Sequence, residues 1–242
     1  MRRPFQILMV ATAAAAVAAC GMNRSEKGGP ETTRAFPVGD FSSIEVAGPY
    51  DVRVRIGGKP GVSVKGPEKV LDRLVVEVDG GELQIRSKKT GLFGNKHWGS
   101  RSSVVVEVSA PSLDGAAIAG SGDMTVDRVK GAEFKGAIAG SGSLSIGTLE
   151  VEKLKLSIAG SGDINAAGKA AEAKYSIAGS GSVKAPKLDA QALKVSIAGS
   201  GDVAAHSAGT ADIDIMGSGD VTVTGGAKCK VSKMGSGSAN CS

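Results

Sequence analysis

An Asp or a Ser returns at one fixed place along this 242-residue chain. Asp123, Ser143, Asp163, Ser182, Asp202, Asp220 and Ser238 each follow the tripeptide Gly-Ser-Gly. If the intervening segments stack, these side chains form one column. Alternating Asp with Ser then keeps carboxylates apart: two of them one layer apart repel by about 0.9 kcal/mol in water. Asp202 and Asp220 break the alternation. Ca²⁺ prefers carboxylate oxygens, so this pair is where a calcium ion would be sought. The first use expected of the column is plainer, because short polar side chains hydrogen-bond turn backbone.

A second column lies five residues before each corner glycine and reads Lys135, Lys155, Lys174, Lys194, Asp212, Lys230. Three before each corner run Ser157, Ser176, Ser196, Asp214 and Ser232. A row of cations at layer spacing, flanked by hydroxyls, suits a repeating anion: an acidic polysaccharide, a teichoic-like polymer or lipopolysaccharide phosphate. Outward lysines are also ordinary solvated residues that discourage strand aggregation. Glu133 and Glu172 lie near enough in sequence to neutralise part of the row. Trp98 offers another glycan-binding candidate, in a pattern-breaking stretch from Lys88 to Gly99 with Lys89, Phe93, Lys96 and His97. The alternative is an insertion whose Phe93 and Trp98 fold back over a coil end.

Catalytic patterns are missing. The two histidines, His97 and His206, stand near no zinc-spaced cysteines, and no nucleophile triad can be assembled. The acids are spread one per repeat, unlike the paired carboxylates of a glycosidase. The glycines lead into no helix, so they do not cradle a phosphate. Catalysis, including action on polysaccharides, is not expected, nor is a cofactor other than the calcium considered above.

The elements that position these columns follow from the repeat. The corner glycines are Gly120, Gly140, Gly160, Gly179, Gly199, Gly217 and Gly235, at steps of 20, 20, 19, 20, 18 and 18 residues. A fixed period near twenty marks a solenoid. Apolar residues alternate before each corner (Leu154, Leu156, Ile158; Leu193, Val195, Ile197) and after it (Leu144, Ile146; Val203, Ala205). Period two means strand with one face buried. A third apolar point lies midway, at Val129, Leu149 and Leu188. Paired glycines suit sharp corners. The expected fold is all-β: a right-handed parallel β-helix with coils of 18–20 residues, its hand set by the crossover rule. A Gly/Ser-rich linker would have no reason to keep Ile and Val in phase.

Residues 37–110 alternate too, through Val52, Val54 and Ile56 to Val104, Val106 and Val108, and read as less regular coils ahead of the regular ones at 111–242. A helical piece is expected from Pro67 to Leu74. Cys229 falls in the inward column of Phe134 and Leu154, and Cys241 in that of Val126 and Ile146. An even pair in an exported chain implies a disulfide, here stapling the last coil. With Lys233 interrupting an apolar column, the pair points to a capped end rather than to stacking with a second copy.

Residues 1–19 carry Arg2 and Arg3, then an apolar run ending in Val17-Ala18-Ala19-Cys20. An ordinary secretory signal has the same charged-then-apolar design, but with a cysteine right after small residues the stretch resembles a bacterial lipoprotein signal with its lipobox. That implies cleavage before Cys20, lipid on that cysteine, and a membrane anchor. Gly21 is not an acidic retention residue, which by analogy permits transfer to the outer membrane. Residues 20–36 read as a tether. The formal net charge is +5, of which Arg2 and Arg3 supply two; that mild excess and the export signal argue against nucleic acid as a partner.

Phe41-Ser42-Ser43-Ile44-Glu45-Val46, Asp51-Val52-Arg53-Val54, Gly80-Gly81-Glu82-Leu83-Gln84-Ile85 and the repeated Gly-Ser-Gly corners together resemble the family called putative auto-transporter adhesin, head GIN domain. The resemblance spans roughly Phe36 to Gly237 and implies a right-handed β-helix in the bacterial envelope. The expected function is adhesin-like binding or scaffolding through a repetitive surface, of an acidic glycan or envelope polymer. The competing readings are a rigid spacer without ligand and, behind it, a polysaccharide-active enzyme.

Overall fold

The computed structural model describes residues 29–88 and 104–242. The leader at 1–19, Cys20, the first part of the tether, His97 and Trp98 lie outside the described residues. No described helix is long and apolar enough to cross a membrane.

The regular part is a stack of parallel coils. After β8 (Gly115–Gly120) come β9 (Asp123–Gly140), β10 (Ser143–Gly160), β11 (Asp163–Gly179), β12 (Ser182–Gly199) and β13 (Asp202–Gly217). Each of these five runs from one Gly-Ser-Gly corner to the next and pairs in parallel with the strand before it. The two expected strands per coil are therefore one strand that bends midway. Pairing is interrupted there, between Ile146 and Leu149 and between Ala185 and Asp189. Those bends absorb the missing residues of the 19- and 18-residue steps. The last coil is made of β14 (Asp220–Thr224), β15 (Lys228–Met234) and β16 (Ser238–Cys241).

Alternation puts one side of every strand inside. Ile138, Ile158, Ile177, Ile197 and Ile215 form a buried ladder, and the midway residues Val129, Leu149 and Leu188 are buried as well. Residue volumes compensate between layers. A Cβ on Gly136 would lie 2.9 Å from Leu156 Cδ2, while Tyr175 fills the same column one coil beyond Leu156. Burial pushes the Tyr175 hydroxyl well above its usual pKa.

The N-terminal region departs from the expected sequential coils. It contains β1 (Glu31–Phe36), β2 (Ser43–Ala47), β3 (Tyr50–Ile56), β4 (Gly61–Pro67), α1 (Glu68–Leu71), β5 (Leu74–Asp79), β6 (Glu82–Ser87) and β7 (Val104–Ala110). The first pass, β2 and β3, stacks directly against β8 and β9. The later pass, β6 and β7, lies outside it. The two passes thus lie in the reverse of sequence order. Beyond them the pairing turns antiparallel, with β1 on β4, β4 on β7 and β5 on β6. This is a cap rather than further coils, and Leu71 and Leu74 bury under it. Residues 31–36, expected as tether, are an edge strand of that cap. The helix is one turn long, with Pro67 as its extended N-cap residue, shorter than expected because Leu74 already starts β5.

Cys229 and Cys241 are joined, their Cα atoms 6.6 Å apart. Their inward placement is as expected, in register with Ala211 and Val223. The end is stapled but not covered. Val231 is 44% exposed, and Lys233, also exposed, donates to the Gly237 carbonyl at 3.3 Å.

Candidate functional site

The strand segments before the corners form one face of the solenoid, and outward side chains there stand in straight columns because the coils are in register. Lys135, Lys155, Lys174 and Lys194 are consecutive partners, followed by Asp212 and Lys230. Adjacent strands lie about 4.8 Å apart, so neighbouring ammonium groups repel by up to about 0.9 kcal/mol in water. Glu133 relieves two of them. Its Oε1 is 2.7 Å from Lys155 and its Oε2 is 3.9 Å from Lys135. The close Lys155 ammonium, with the charge of Lys135 behind it, holds the Glu133 carboxyl below its ordinary pKa against a smaller opposing effect of burial. Glu172 makes no ion pair among the described residues, and neither do Lys174 and Lys194. Among the described residues the lysines of the row without an ion pair are therefore Lys174, Lys194 and Lys230, the last two standing in register beside Asp212.

The Ser column is also in register, through Ser157, Ser176, Ser196, Asp214 and Ser232. Beside it runs a column that reading by motif alone missed: Ala119, Ala139, Ala159, Ala178, Ala198, then Met216 and Met234. These are the alanines of the repeated Ile-Ala-Gly, and they point outward. With the serines and the edges of the isoleucine ladder they line an open groove of about 890 Å³ across the coils. The groove ends at Met216 and Met234, which are 63% and 74% exposed. Its signal was present in the sequence: an outward position kept at alanine through five repeats and then replaced by methionine, never by a charge.

The Asp and Ser column ties coils together. Ser143 N–H donates to Asp123 Oδ1 at 3.0 Å, Asp220 N–H to Asp202 Oδ1 at 3.1 Å, and Ser238 N–H to Asp220 Oδ1 at 3.0 Å. The backbone served is that of the next coil, not of the same turn. Ser238 Oγ also donates to Asp220 Oδ1 at 2.7 Å, and these bonds lower the Asp220 pKa. Around Asp202 and Asp220, as elsewhere among the described residues, no three His, Cys, Asp or Glu side chains gather closely enough to hold a metal ion.

On the neighbouring face a ladder of alternating charge stands in register: Lys130, Glu150, Lys169, Asp189, then His206 and Thr224. Lys130 and Glu150 pair at 3.1 Å. His206 lies within β13, half-buried and 3.0 Å from Thr224 Oγ1. Charges of opposite sign stand side by side through most of this ladder, whereas in the lysine row four cations follow one another.

The profile of the family described as putative auto-transporter adhesin, head GIN domain, matches residues 40–227. Among solved structures, a putative adhesin from Bacteroides fragilis superposes with a TM-score of 0.79 at 23% identity, covering 88% of this chain and 97% of that one. A putative lipid binding protein from Parabacteroides distasonis gives 0.72 at 29% identity, covering 89% and 98%. A putative adhesin from Parabacteroides merdae gives 0.70 at 21% identity, covering 89% and 98%. No curated protein matches the sequence.

Proposed function

We propose, since this chain belongs to the family of putative auto-transporter adhesins with a head GIN domain, that it is an envelope protein that binds a repeating polyanion along its lysine row. The observation that carries this reading is the register of Lys135, Lys155, Lys174 and Lys194 on four consecutive coils. A polymer with anionic groups at a similar repeat meets several cations at once, and weak single contacts then add as avidity. The serines alongside donate hydrogen bonds to hydroxyls or phosphate oxygens. The domain is read as one unit from the β1 cap to residue 242, held to the membrane by lipid on Cys20 after removal of residues 1–19. An intact mass lacking added acyl groups removes that anchor. Binding, not turnover, is the activity proposed.

A second reading is favoured by the groove. Its alanine floor accepts a linear apolar chain, and the lysine row two columns away meets the anionic end of an amphiphile. The likeness to a protein described as lipid binding agrees with this reading.

One experiment separates the readings. The full chain in mild detergent is tested against an array of acidic envelope glycans and against a fluorescent fatty acid. Beside it run K135S/K155S/K174S/K194S and A159W/A178W. Glycan binding lost only in the lysine variant supports the polyanion reading. Fatty-acid binding lost in the tryptophan variant supports the groove. Binding of neither ligand by the parent chain leaves the rigid spacer as the function.

A further inference from the structure

Among the described residues, one sheet face of the solenoid has an unpaired edge at each end. On the face that carries the lysine row, β5 pairs only with β6 and β15 only with β13 among the described residues. The two edges are chemical opposites. β15 presents Lys228 and Lys230 outward, with exposed Val231 and half-buried Cys229 on its core side. β5 presents Glu77 and Asp79 outward, with half-buried Val76 and Val78 on its core side. The exposed large apolar residues of the described chain, Met216, Val231 and Met234, are all at the β15 end.

We propose that β5 of a second copy of this chain docks antiparallel on β15, head to tail. In one register Lys230 meets Glu77 of the second copy and Lys228 meets Asp79. The same register sets Val231 against Val76 and Cys229 against Val78. The antiparallel sense follows from the fold: β6 and β15 belong to the same parallel series, and β5 runs opposite to β6. Lys233 does not contribute: it falls opposite Leu74 and is already bonded to Gly237. Glu77 shares its charge with Arg86 of its own chain, so Lys230–Glu77 is the weaker of the two charge pairs and Lys228–Asp79 the stronger.

Lysines on an edge strand ordinarily deter pairing. Here the deterrent acts against a like edge and not against β5. Pairing β15 with β15 sets lysine against lysine, and pairing β5 with β5 sets acid against acid; like-charge juxtaposition of this kind selects against the wrong partner. On the other sheet face the cap is one strand deeper, with β4 and β1 beyond β7 where β5 alone stands beyond β6, so the proposed contact joins the face that carries the lysine row. A head-to-tail contact that does not close produces an open series rather than a dimer. This inference is independent of any ligand on the lysine row.

Sedimentation velocity of the full chain in mild detergent tests it. The expected result is a concentration-dependent series beyond dimer, weakened about tenfold or more by high salt. K228E/K230E and E77K/D79K each sediment as monomer alone, and their equimolar mixture regains the series, because each then offers the other an opposite edge. Far-UV circular dichroism checks that both are folded; if a reversal fails to fold, K228S/K230S replaces it, with weakened association expected. A parent chain that stays monomeric at low salt overturns the proposal. So does association indifferent to both reversals, or a closed dimer that E77K/D79K retains.

Discussion

An alanine at position 140 would place its Cβ 2.2 Å from the carbonyl oxygen of Gly120, at a φ of 136°. Both facts make the glycine obligatory, since that region of backbone space is open to glycine almost alone and costs other residues about 1–3 kcal/mol. Gly131, exposed and with nothing within 4 Å of a Cβ, is the control. Gly140→Ala is expected to destabilise by about 2 kcal/mol or more, and Gly131→Ala to stay within about 0.5 kcal/mol of the parent in the same denaturant titration. Equal effects at the two positions would mean that the close packing of corners does not hold the stack. An eighth corner shows how far this logic reaches. Val46-Ala47-Gly48-Pro49-Tyr50-Asp51 occupies the place of Ile118-Ala119-Gly120-Ser121-Gly122-Asp123, with Gly48 at a φ of 144°. Tyr50 replaces the second glycine there, and the two corners lie 72 residues apart, so neither motif nor period betrays it.

At the scale of the element, the last coil is the weak one. β15 and β16 each have a partner on one side only, and their inward side chains are partly open to water. The Cys229–Cys241 bridge closes a loop with a sequence separation of 12, a constraint worth about 3 kcal/mol against the unfolded chain by loop entropy. In a repeat stack such a constraint acts chiefly on its own layer and the next. C229S/C241S is therefore expected to speed amide hydrogen exchange in 220–241 while leaving β10 and β11 unchanged. Uniformly faster exchange along the whole chain would show instead that the bridge governs the fold as one unit. The bridge was legible in the sequence because both cysteines fell into inward columns. The openness of the end was not, because Lys233 turns back to a carbonyl instead of covering the core.

At the scale of the molecule, each coil contacts little beyond its two neighbours, so stability should grade along the axis. Exchange protection is expected to be greatest in β9 to β12, lower toward the capped head, and lowest at the tail. A flat profile would mean cooperativity across all coils. The capped head and open tail also give the stack a direction, on which the charge complementarity of its edges depends.

By itself the sequence determined the coil, the corners and the inward and outward columns, because a period near twenty and an alternation of two are local and repeat many times. The disulfide and the lysine row followed from the same phase. Only the tertiary structure decided the order of the first two passes, the antiparallel cap, and the groove over the alanine column. The physical reason is that these depend on which distant edges meet and how the sheet curves. A strand such as β2 carries the same alternation whether it lies inside or outside β6, and an alanine reads as a small residue until its neighbours in register show the surface it builds.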